Sequence, residues 1–190
     1  PALDMSLFSS SKKIPFVSIM TEGEDPIVSR ENYLNCEVTV GNVEEAYEMR
    51  DVQAGVRVRG NSSAYYGDVE KILANQVPYR IKFEKKQSML GLNDGAKCKS
   101  WVLLRGDAKE LVRDEIAFRL GTLFLGERYY SSDSQLVHLY VNGEFKGVYV
   151  LCEQSQVNEH RITVNEPEED ENGTDVGYLL EIDNAYFDED

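Results

Sequence analysis

"SQLVHLYVNGEFKGVYVLCE", residues 134–153, is the stretch from which the fold is most directly read. Two alternating runs flank Asn142-Gly143, the residue pair that a type I′ turn prefers. Alternation of period two gives each run one apolar face, so the stretch predicts a β-hairpin lying against a core. Working outward, further strands are read at "IPFVSIM" (14–20), "NCEVTVGN" (35–42), "AGVRVRG" (54–60) and "PYRIKFEKK" (78–86), and "KSWVLLRG" (99–106) is a run of buried type. After the hairpin comes "GYLLEID" (177–183). One helix is predicted within "DAKELVRDEIAFRLGTLF" (107–124), with Asp107 as N-cap and Glu110 at the capping-box offset. Leu111, Val112, Ile116, Leu120 and Leu123 recur there at helical spacing. This order predicts an α+β fold: a mostly antiparallel sheet with one principal helix packed on it. Residues 1–13 read as a loose polar arm, and 14–190 as one domain.

Composition narrows the function classes. The 190 residues are 42% hydrophobic and 28% charged, which suits a packed core and not wholesale disorder. No apolar run reaches the ~20 residues of a membrane-spanning helix. The net charge is −14, and residues 161–190 hold eleven acids against one base. An acidic chain of this kind argues against a nucleic-acid partner. Three widely spaced cysteines (Cys36, Cys98, Cys152) and two histidines (His138, His160) form neither a disulfide framework nor a zinc motif.

Chemistry must therefore come from Lys, Arg, Asp, Glu and backbone amides, which are tools for handling phosphate. Lys82 lies mid-strand, opposite an apolar face of Tyr79, Ile81 and Phe83. A lysine held so can set one charge against a phosphate; the plain alternative is a solvated strand face. Arg59-Gly60-Asn61-Ser62-Ser63 can offer amides, hydroxyls and a guanidinium to an anion, or can be an ordinary turn. Asp114 and Glu115 on the helix are surface acids or a carboxylate partner for Lys82.

Taken together, "RGNSS" (59–63), "PYRIKFEKKQSMLGL" (78–92), "AKCKSWVLLRGDAKELVRDEIAFRLG" (96–121), "LVHLYVNGEFKGVYVLCEQ" (136–154) and "GYLLEID" resemble the CotH family of spore-coat, atypical protein-kinase-like proteins. The resemblance implies the N-terminal lobe of a kinase-like fold, binding ATP with Mg²⁺ or Mn²⁺ and transferring phosphate to protein Ser or Thr. It makes Arg59, Gly60, Asn61, Ser62 and Ser63 the phosphate-side loop and Lys82 the nucleotide lysine. Glu115 would be the partner of Lys82, and Leu151 and Glu153 would lie beside the adenine. The family's catalytic and metal-binding Asp residues find no match in this chain, so it is expected to be an incomplete domain, inactive alone, whose exposed face could self-associate. The implied setting is a bacterial spore coat or cell surface. The alternative is a catalytically inactive module of a coat or cellulosome-type assembly. A carbohydrate-binding β-module is a weaker reading.

Overall fold

The computed structural model describes residues 14–106, 112–125, 129–155, 161, 162 and 164. The chain divides into two compact units, Pro1–Gln154 and Ser155–Asp190. The second lies almost wholly outside the described residues, and with it the "GYLLEID" strand and the acidic stretch.

Among the described residues, seven strands form a closed barrel. They are β1 (Phe16–Thr21), β2 (Leu34–Gly41), β3 (Met49–Val58), β4 (Tyr79–Gln87), β5 (Cys98–Arg105), β6 (Ser134–Val141) and β7 (Glu144–Glu153). Around the barrel the order is β1-β2-β3-β4-β5-β7-β6. A short helix α1 (Val69–Ala74) follows β3, and α2 (Arg113–Leu125) follows β5.

The expected α+β arrangement, a kinase-like lobe built on a principal helix, is corrected by this closure. Its physical basis is the seam between β1 and β6, which pair in parallel from Phe16↔His138 to Ile19↔Val141. The hairpin turn makes the lock. Asn142 and Gly143 take φ of +51° and +78°, as a type I′ turn demands. The Asn142 side chain then accepts from the Thr21 amide at 2.9 Å, and its Nδ2 donates to Thr21 Oγ1 at 2.9 Å. One residue thus turns the hairpin and fastens the end of β1 to it.

Closure places the core inside the barrel. Val17, Ile19, Val38, Val56, Ile81, Trp101, Leu103, Leu139 and Leu151 all have 0% exposure. Burying each such side chain contributes about 1.5–3 kcal/mol, and helix cover is not needed for it. Helix α2 accordingly buries only Glu115, while Ile116, Leu120, Leu123 and Phe124 stay exposed. The predicted N-cap region, residues 107–111, lies outside the described residues. Strand β3 also starts earlier than the alternation suggested, at Met49, and runs through Asp51 at φ +49°.

Candidate functional site

Register defines the outer face of β3, β4, β5, β7 and β6. One row runs Arg57–Arg80–Val102–Cys152–Ser134, and the next runs Gly55–Lys82–Ser100. Tyr79, Ile81 and Phe83 turn inward and are buried, so Arg80 and Lys82 must turn outward. Arg57 and Arg80 are like charges directly opposite on neighbouring strands, an arrangement that costs stability. Arg59 extends the same group. Burial lowers its pKa, and Arg80 and Arg57 push it the same way.

Little neutralises these cations. Arg80 Nη2 donates to Ser100 Oγ at 3.3 Å, and Arg57 Nη1 to the Val58 carbonyl at 3.4 Å. Nε of both Arg57 and Arg80 is buried with no acceptor. Among the described residues no ion pair involves Arg57, Arg59, Arg80 or Lys82. Tyr33 supplies the other contact: its ring centre lies 5.3 Å from Arg57 Cζ and 5.9 Å from Lys82 Nζ.

At the end of this face, a cavity of about 240 Å³ is lined by Arg59, Ser63, Pro78, Leu104, Arg105, Arg113 and Asp114. Arg105 is held by Tyr65, whose hydroxyl accepts from its Nη1 at 3.3 Å. The loop that presents Ser63 is tightly wound. Gly60 has φ +91°, and a Cβ there would stand 2.3 Å from Ser63 Oγ. Tyr65 and Tyr66 both adopt positive φ, at +51° and +54°. Left-handed backbone at two tyrosines is strain held by surroundings, as is frequent at functional sites. Asn61 Oδ1 accepts from Arg30, which turns that side chain toward Arg30.

The structure thus gathers Arg59 and Ser63 with Arg57, Arg80 and Lys82 on one side of the barrel. It does not join Lys82 to Glu115. The Glu115 carboxylate is buried and accepts from Ser134 Oγ and from Arg119 Nε, each at 2.7 Å. Ser134 lies three strand steps from Arg80, roughly 14 Å at the usual strand spacing. Leu151 points into the barrel core, and Glu153 is buried and accepts from the Tyr130 hydroxyl at 3.4 Å. In the sequence Arg80 stands only as one of the charges flanking Lys82, and Arg57, Tyr33 and Arg105 are not singled out. Register and cavity walls bring these in, and neither has a local signal.

A family model described as CotH kinase protein matches residues 56–190, more than half of the chain. The chain belongs to the CotH kinase protein family. This CotH match begins within β3 and takes in β4 to β7, so it includes Arg57, Arg59, Arg80 and Lys82. No curated protein matches the chain.

Proposed function

We propose that this chain is the nucleotide-binding portion of a CotH-type protein kinase that transfers phosphate from ATP to protein Ser or Thr. The observation that carries the reading is the set of four cations, Arg57, Arg59, Arg80 and Lys82, which share one face with no carboxylate partner among the described residues. A face built of unpaired guanidinium and ammonium groups is complementary to a polyphosphate. Arg80 and Arg57 still have a free buried Nε donor each, which costs energy until an acceptor arrives. Residues for the metal do not fit here: among the described residues no group of three or more His, Cys, Asp or Glu could hold a cation. No transfer step is therefore assigned to this face, whose part is to bind and orient the phosphates.

The test is a thermal-shift titration with ATP. A ligand that binds only the folded state raises the midpoint by mass action. ATP at millimolar concentration is expected to raise it, and Arg59→Ala and Lys82→Ala to diminish the rise. A flat response in the parent chain would sink the reading.

A second reading, an inactive module of a spore-coat or cell-surface assembly, draws on α2. Ile116, Leu120, Leu123 and Phe124 expose an apolar stripe of the sort that marks a protein contact. Size-exclusion chromatography distinguishes them. Self-association that Leu123→Ser with Phe124→Ser abolishes favours assembly, and a monomer at high concentration opposes it. No described helix is long and apolar enough to cross a membrane.

A further inference from the structure

We infer that Tyr33 is a positioning residue of the cationic face, and that Gly55 is a glycine in order to seat it. The inference rests on the phosphate-binding reading above. Gly55 lies mid-strand in β3, where glycine weakens a sheet and commonly marks a close approach. Its φ is one that any residue adopts, so the backbone does not call for glycine. Space does. A Cβ on Gly55 would stand 3.1 Å from Tyr33 Cβ and Cδ1 and 3.3 Å from Cγ.

The ring therefore lies across the bare backbone of Gly55. Lys82 is the register partner of Gly55 on β4, and Arg57 is two residues along β3 on the same outer face. From that seat the ring touches both cations, at 5.3 and 5.9 Å. An aromatic face attracts a cation, and the attraction grows as water is removed. Tyr33 thus steadies two charges that no carboxylate among the described residues steadies, and does so without neutralising them for an incoming anion. A carboxylate in that place would hold Arg57 and Lys82 as well, but would repel the phosphates.

Binding of inorganic tripolyphosphate to the chain, followed by calorimetric titration, tests this. Tyr33→Ala and Gly55→Ala are each expected to weaken binding roughly fivefold, the value of one cation–π contact of about 1 kcal/mol. Tyr33→Phe, which keeps the ring, should restore it. The dependence on salt should keep its slope, because every charge is still present. Parent-like affinity in Tyr33→Ala and Gly55→Ala, beside a weakened Lys82→Ala, overturns the inference and leaves the phosphate reading intact. If the parent chain binds no polyanion, the phosphate reading falls and melting decides the role of Tyr33. A midpoint loss in Tyr33→Ala that shrinks from low to high salt upholds a charge-steadying ring. An equal loss at both salts shows packing alone and overturns it.

Discussion

Gly147 has φ +115°, and a Cβ there would stand 2.0 Å from Nε2 of Gln76. That amide donates to the Lys146 carbonyl at 2.6 Å, tying the segment before β4 to β7. Gly147→Ala should therefore lose about 2 kcal/mol or more, combining backbone strain with the displaced amide. Urea denaturation followed by Trp101 emission would show it, since Trp101 is the one tryptophan and is fully buried. The thiols give a second prediction at this scale. Burial pushes Cys152 and Cys36 up to about 12 from an ordinary 9.0. A raised folded pKa favours the neutral form, so this stability is whole below pH 9 and is lost as pH rises through about 12. At pH 8 the native chain should react negligibly with a thiol reagent, and the unfolded chain should release three equivalents. Alternation alone showed that Lys82 faces away from Tyr79, Ile81 and Phe83. It could not show Tyr33, which precedes β2 and reaches the face only through strand register.

Among the elements, α2 separates what periodicity can tell from what it cannot. The spacing of Ile116, Leu120 and Leu123 marks one side of a helix, and the structure does form a helix there. Whether that side is covered depends on the rest of the molecule, and here it is open while a carboxylate is buried. Two substitutions test this inversion. Glu115→Ala removes the acceptor of Ser134 and Arg119 and should destabilise by about 1–3 kcal/mol. Leu123→Ser, at a site 74% exposed, should change stability by no more than about 0.5 kcal/mol. Denaturant midpoints of the two variants would settle the order. The hairpin was legible because Asn142-Gly143 fixes its turn chemistry within two residues. The short helix α1 was not, since its one local mark is Asp68, whose carboxylate accepts from the Lys71 amide at 3.2 Å.

Over the whole barrel, closure depends on residues far apart in sequence. Each strand of the barrel has a local signature, alternating in most and continuously apolar in β5, yet nothing local says that β1 and β6 meet in parallel. That is why a sheet covered by a helix was the natural expectation. Ile19 sits in the seam with its side chain wholly buried. Ile19→Ala should cost about 2–5 kcal/mol by the usual loss of packing and residual cavity. Because all seven strands share one core, the loss should appear as one earlier transition, by Trp101 emission and by far-ultraviolet circular dichroism alike. Two separate transitions would show instead that the seam opens by itself.

The seam also sets a timetable. β1 finds β2 as soon as that strand is made, but its other edge must wait for β6. Ile19 and its partner Val141 are 122 positions apart. At ribosomal speeds of about 5–20 residues per second, roughly 6–24 seconds pass before that partner is synthesised. Throughout, the nascent chain carries an unpaired strand edge open to neighbouring chains. Slowing translation should thus penalise the yield of this protein more than that of a barrel whose ends pair early.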